Sequence, residues 1–354
     1  MTEVQTMLDG AVRNGASDIF IVAGFPVAFK QNGRISPQGE ERILPDRSEA
    51  LITKLYQLAG RDMERFLRTG DDDFSFSIPK LSRFRVSAYK QRSSLAAVIR
   101  VVPFGIPDYR ALHIPETVMD AAERTKGLIL VTGSAGSGKS TTLACLIDRI
   151  NETRSGHIIT LEDPIEYLHR NKKSIVSQRE IELDTENYVS ALRAALRQAP
   201  DVIFVGEMRD YETIKTAMTA AETGHLVIST LHTVGAASTI DRIIDVFPPN
   251  QQPQIRIQLS MLLQSVFSQQ LIPTLNGSVY PAFEILHANN AVRNMIRDAK
   301  IYQLDTLIAS SAAEGMVTMD ASLLSLCKNG IISESAALRH AVNLEILQKK
   351  IRMS

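Results

Sequence analysis

Apolar positions recur at helical spacing at Val4, Met7, Leu8, Ala11 and Val12, and the run SDIFIVAG that follows predicts a buried strand. The chain therefore opens as mixed α and β. Further on, Phe74, Phe76 and Ile78 alternate with polar residues, and so do Phe84, Val86 and Ala88, which is the period of half-buried strands. That alternation turns Arg83 and Arg85 to one shared face. Another strand, AAVIRVV, runs up to Pro103, where the stretch PFGIPDYRALHIPE is punctuated by Pro103, Pro107 and Pro115. This predicts a small α+β domain over 1–102, a linker over 103–118 and a second domain over 119–354.

In the second domain, short apolar runs (LILVT, HIITLE, VIFVGE, HLVIST) alternate with helical patterns such as VSALRAALRQA and YETIKTAMTAAETG. Strand and helix in alternation imply a parallel sheet with helices on its faces, an α/β fold. After Pro253 the chain reads as mostly helical, with IRIQLSMLLQSVFSQQL as the longest pattern. No repeat of fixed period and no low-complexity stretch interrupts it.

Composition narrows the function. A chain of 354 residues, 44% hydrophobic and 22% charged, is long enough for two globular domains. Lys plus Arg balance Asp plus Glu at 39 each, so no overall field favours nucleic acid or an acidic membrane, and no nucleic-acid partner is expected. The two cysteines, Cys145 and Cys327, are far apart and form no metal-ligand cluster, which fits a reducing cytosol. The opening MTEVQTMLDG does not read as a leader, and no apolar run approaches the roughly 20 residues that span a bilayer. The expectation is a cytoplasmic protein that reaches a membrane through partners, without direct insertion.

The chemistry is concentrated at GSAGSGKST, residues 133–141. Gly133, Gly138, Lys139 and Ser140 fit G-x-x-x-x-G-K-[ST], preceded by the strand LILVT and followed by the helical STTLACLIDRI. Glycine lets backbone amides approach phosphate oxygens at a helix N-terminus, where the dipole favours negative charge. Gly133, Ser134, Ala135, Gly136, Ser137, Gly138, Lys139, Ser140 and Thr141 are thus the candidate phosphate cradle. Lys139 would meet the β and γ phosphates, and the Ser140 hydroxyl would hold Mg²⁺. ATP hydrolysis further needs a group that orients or deprotonates water. Glu207, at the end of the strand in DVIFVGEMRD, is the first candidate, because ligands bind at the carboxyl ends of strands in such sheets. In TLEDPIEY, Glu162, Asp163 and Glu166 follow a strand expected one place from the phosphate loop, with Glu162 and Glu166 as further catalytic or metal-binding acids. His225 and His232 flank the strand in GHLVISTLHT and are candidate sensors of the γ phosphate, the alternative being structural histidines. Arg193 and Arg197, four apart, share a face opposite Val189, Leu192 and Leu196, which is either solvated or an interface.

Together these segments resemble the secretion ATPases of the type II and type IV pilus superfamily, and within it the pilus-retraction branch. GSAGSGKSTTLA resembles the family's Walker A, LEDPIEY its Asp box, VGEMRDYETI its Walker B and TAAETGHLVISTLHT its His box. TIDRIIDVFP and AVRNMIRDAK are further marks, the latter similar to a motif tied to retraction. RFRVSAY resembles the segment whose arginines reach the nucleotide of an adjacent subunit, which makes Arg83, Arg85 and Arg100 candidates in trans and Arg92 a weaker one. The resemblance implies a PAS-like amino domain and a RecA-like P-loop ATPase domain with C-terminal helices. It also implies a homo-hexamer using ATP and Mg²⁺, peripheral at the inner membrane through a platform protein, acting on pilin indirectly. Retraction is the function implied; alternatives are an assembly or type II secretion ATPase, or a nucleotide-controlled accessory to another motor. Assembly relatives usually carry a longer amino-terminal extension and a cysteine-rich metal insertion, and neither is read here. Ser134 and Ala135 stand where the family usually has Pro and Thr, Val292 and Met295 where it has Ile and Leu. Gly206 occupies the place where a Walker B motif elsewhere carries Asp.

Overall fold

A computed structural model describes residues 2–31, 33–102 and 105–353, which divide into two compact units, residues 1–105 and 106–354. The expected linker 103–118 is not a free connector where it is described. Pro103 and Phe104 lie outside the described residues, while Tyr109, Ile114 and Val118 are buried in the second unit's core. Cys145 Sγ lies 3.3 Å from the Pro107 carbonyl, and the His113 ring stacks on Tyr280 at 4.4 Å. Pro107 and Pro115 stiffen a strap whose apolar side chains fold onto that unit.

In the first unit, helix Glu3–Arg13 begins with a capping box in which Thr2 and Gln5 exchange hydrogen bonds, and it buries Val4, Leu8 and Ala11. Strands β1 (Asp18–Ile21), β2 (Ala28–Gln31), β3 (Arg34–Pro37), β4 (Asp71–Ile78), β5 (Ser82–Gln91) and β6 (Ser94–Val102) form one antiparallel sheet in the order β3-β2-β1-β6-β5-β4. Helix Pro45–Ala59 contributes Leu51, Ile52 and Leu55 to the core that holds Phe74, Phe76, Phe84 and Val86. The alternation in sequence thus sets which face is covered. Arg85 lies opposite Arg100 in the β5–β6 register, so Arg83, Arg85 and Arg100 project from the other face. Arg100 is held there by Asp18, at 3.1 Å. Arg92 and Ser93, both at positive φ, make the two-residue turn of the β5–β6 hairpin, which carries Arg92 to its tip.

The second unit is a mostly parallel sheet flanked by helices. Its strands are β7 (Gly127–Thr132), β8 (His157–Glu162), β9 (Ile175–Glu180), β10 (Val202–Val205), β11 (Leu226–Leu231), β12 (Leu263–Pro273) and β13 (Val279–His287), ordered β13-β12-β7-β11-β10-β8-β9. Among the described residues, only the β12–β13 pair of this sheet is antiparallel. Every residue of β7, β10 and β11 is buried, as expected for strands covered on both faces.

Two expectations are corrected here. The stretch read as one long helix after Pro253 is helix Gln252–Leu262 followed at once by β12, which pairs with β7, and by β13. Apolar runs of that length suit either state, and the open edge of β7 supplied the partner that made it a strand. The Asp-box strand β8 is not beside β7 either: β11 and β10 intervene, because later strands insert between the first two.

Candidate active site

The phosphate loop is shaped by what packs behind it. Gly133 has φ of 143°, and a Cβ there would stand 2.3 Å from the Gln269 carbonyl oxygen and 2.6 Å from Ser137 Oγ. Gly138, at φ of 88°, would place a Cβ 2.9 Å from Gln269 Nε2. Both positions therefore demand glycine on conformational and steric grounds. Gln269, on β12, also accepts from Thr142 Oγ1 at 2.7 Å, so the strand misread as helix braces the loop. Helix Lys139–Thr153 starts at Gly138 with no side-chain cap, unlike helices Tyr188–Ala195, Tyr211–Glu222 and Asn290–Arg297, capped by Asn187, Asp210 and Asn289. Ser137 Oγ is buried without a hydrogen-bond partner among the described residues. An uncapped helix start, an orphan hydroxyl and side-chain-free approaches fit a phosphate group.

Lys139 is only 8% exposed, and its Nζ donates to the carbonyls of Gly133 at 2.7 Å and Ser134 at 2.9 Å. Burial lowers its pKa below the usual lysine range, opposed by Glu166 and Glu207. Ser140 and Thr141 follow in the first helical turn, and Thr141 Oγ1 meets Tyr167 Oη at 2.8 Å.

One cleft of 290 Å³ holds Ala135, Gly136, Lys139 and Ser140 together with Glu162, Glu166, Glu207 and His232. Glu162 is the last residue of β8, and Glu166 lies in the loop after it, whose Tyr167 meets Thr141 beside the phosphate loop. Glu162 is 9% exposed, and burial raises its pKa to about 7 against hydrogen bonds from Thr160 Oγ1 at 2.6 Å and Gln178 Nε2 at 3.1 Å. A cation beside it would favour the carboxylate. Glu166 is exposed in the cleft. Glu207, just past β10, accepts from Arg209 Nε at 2.6 Å and lies 3.3 Å from His232 Nε2. Among the described residues no cluster of three or more acids, histidines and cysteines forms a ready-made metal cage, so Mg²⁺ would rest on Ser140, water and phosphate oxygens, with Glu162 and Glu166 nearby.

His225 does not join them. It precedes β11 at the amino end of the sheet, where its carbonyl accepts from the Gly127 amide and its Nδ1 contacts the Ala220 carbonyl and Thr223 Oγ1, each at 3.0 Å. The six-residue strand Leu226–Leu231 separates it from His232 by roughly 20 Å. Two histidines in one motif thus serve opposite ends of one strand, and within this chain His225 is a helix-terminal hydrogen-bonding residue. Arg193 is exposed, with Glu212 at 3.8 Å, and Arg197 donates back to its carbonyl. Sequence reasoning missed Tyr167, Tyr188, Arg209, Gln178 and Gln269. Arg209, two residues from Glu207, and Tyr167, next to Glu166 in TLEDPIEY, lie within motifs already singled out for chemistry.

Gly206 explains the missing Walker B aspartate. A Cβ there would stand 2.9 Å from Tyr188 Oη and 3.1 Å from the Leu161 carbonyl oxygen, so the space is taken, and Glu162 lies in the same cleft. We expect Gly206→Ala to lower stability by about 1–3 kcal/mol and to depress turnover, with Tyr188→Phe restoring part of both. Denaturant titration of the single and double variants checks this; equal effects with and without Tyr188→Phe would rule out the clash.

A parallel sheet with a glycine-rich phosphate loop at its carboxyl end and an acid, Glu207, two strands away has the architecture of a P-loop ATPase. The family model described as Type II/IV secretion system protein matches residues 1–283, and the chain belongs to that family. It is 43% identical over 340 residues to the type IV pilus retraction ATPase PilT of Pseudomonas aeruginosa, covering 96% of this chain and 98% of the relative. It is 38% identical to the type IV pilus ATPase PilU of the same organism, over 99% of this chain and 92% of the relative. The crystal structure of the pilus retraction motor PilT with bound ADP superposes with a TM-score of 0.90 at 44% identity, covering 99% of each chain.

Proposed function

We propose that this ATPase is a hexameric ring motor that retracts type IV pili, drawing pilin from the fibre base through a platform protein of the inner membrane. The observation that carries the hydrolytic part is the meeting of Lys139, Ser140 and Glu207 in one cleft. Amides of 133–139 and the Lys139 ammonium bind the β and γ phosphates of ATP. Ser140, with Glu162 and Glu166 nearby, would hold Mg²⁺, whose charge would offset that of the phosphates. Glu207 accepts a proton from the attacking water, and His232 stands where it can report on the same region. Similarity to PilT over nearly the whole chain supports retraction as the work done. Among the described residues no helix is long and apolar enough to cross a membrane, which is compatible with docking through a partner. Deletion of the gene should leave abundant but immobile surface fibres; loss of fibres would point to assembly instead.

Arg83, Arg85 and Arg100 share a sheet face of the first unit, and in the ring they stabilise transition-state charge at a neighbour's nucleotide. Mixing Arg85→Ala subunits with Lys139→Ala subunits should then recover part of the activity each lacks alone. Absence of recovery in phosphate-release assays of mixed rings would exclude donation in trans. A second reading, an accessory ATPase to another pilus motor, is favoured by the similarity to PilU. Complementation of a strain lacking every other retraction ATPase separates the two.

A further inference from the structure

The acidic loop after β8 is clamped from the edge strand β9, and one amide makes three of the contacts. Gln178 Nε2 donates to Glu162 Oε1 at 3.1 Å and to the Tyr167 carbonyl at 2.8 Å, while its Oε1 accepts from the His169 amide at 2.8 Å. Two residues along, on the same side of the strand, Glu180 Oε2 accepts from the Ile165 amide at 3.1 Å. Tyr167, in the middle of the clamped segment, reaches Thr141 in the first turn after the phosphate loop. A continuous set of hydrogen bonds therefore runs from β9 through the loop to the helix that carries Lys139 and Ser140.

A carboxamide supplies two N–H donors and an acceptor, and Gln178 uses both kinds in opposite directions. Glutamate would lose both donations and set a second carboxylate against the buried Glu162. Leucine would fill similar space and leave the loop groups unmet. Asparagine keeps the chemistry but falls one methylene short. β9 itself lies at the edge of the sheet, three strands beyond the nearest neighbour of β7, so nothing in its position alone suggests a part in the reaction.

We propose that Gln178 is a positioning residue for hydrolysis: it holds the Glu162 carboxylate directly and fixes the 163–169 loop that carries Glu166, so that both acids stand in the same cleft as Ser140. The inference rests on the reading of that cleft as the Mg²⁺–ATP site. It separates two quantities. Phosphate binding by the 133–139 loop involves no atom of Gln178, whereas use of the cation and turnover depend on where the acidic loop sits.

The test uses full-length protein carrying Q178L, Q178E or Q178N. Hydrogen exchange at His169 should quicken by at least about tenfold in Q178L, because its amide loses the Gln178 Oε1 acceptor, while the Ile165 amide keeps Glu180. Affinity for a fluorescent ADP in EDTA should stay within about twofold of the parent. Turnover should fall at least about tenfold and need more Mg²⁺ for half-maximal rate, with Q178E at least as impaired as Q178L and Q178N between Q178L and the parent. Should Q178L fail to fold, Q178N decides by the same three readouts. Unchanged exchange in the loop overturns the proposal, and so does turnover with the parent's Mg²⁺ dependence in a folded variant. If the parent itself releases no phosphate, the reading of the cleft fails, and the exchange result still decides whether Gln178 clamps the loop.

Discussion

Glu207→Gln binds ATP as the parent does and turns it over at least about a hundredfold more slowly, the loss expected when a general base is removed and little else changes. The side chain leaves the end of β10 and is held between Arg209 at 2.6 Å and His232 at 3.3 Å. Glutamine matches its shape and can still accept from Arg209, so the fold and the phosphate loop remain intact. What disappears is the negative charge that draws a proton from water. Equilibrium binding of a fluorescent nucleotide and steady-state phosphate release, measured on one preparation, separate the two effects. Turnover within tenfold of the parent would remove Glu207 from this role. Arg209→Gln is the informative companion, since it frees Glu207 from its ion pair without touching the carboxylate.

Lys139→Ala should have the other large effect, a loss of nucleotide affinity of at least about tenfold and no measurable turnover, from removal of charge-assisted hydrogen bonds to phosphate. The same change should not destabilise the protein at pH 7. Burial holds the ammonium's pKa below the ordinary lysine range, so folding disfavours the protonated form. That cost is present at neutral pH and fades as the pH rises through the folded pKa toward the usual lysine value. Lys139→Ala should therefore unfold no more easily than the parent at pH 7, and any advantage should shrink in alkali. A lower unfolding midpoint at pH 7, in the absence of nucleotide, would show that the hydrogen bonds to the Gly133 and Ser134 carbonyls outweigh the burial cost.

Much of the site was legible because its parts are local in sequence. The glycines, Lys139 and Ser140 sit within eight residues, and Glu207 and His232 each end an apolar run whose length marks a buried strand. What could not be read was adjacency. β8 follows the phosphate-loop helix in the chain yet lies three strands from β7, and still Glu162, its last residue, and Glu166, in the loop after it, line the cleft with Lys139. Gln178 and Gln269 stand in weak patterns, one on a half-buried edge strand and one in a segment with helical apolar spacing. Each matters through a partner far away in sequence.

The sequence by itself determined the glycine-rich loop between strand and helix, the candidate acids at strand ends and the alternation of strand with helix, since these follow from spacing, periodicity and the backbone freedom of glycine. Tertiary structure decided the strand order, turned the segment after Leu262 into the strand that braces the loop, and brought His232 but not His225 to the cleft. Pairing along a sheet edge is a contact between distant segments, and local propensity carries no record of which distant segment will supply it.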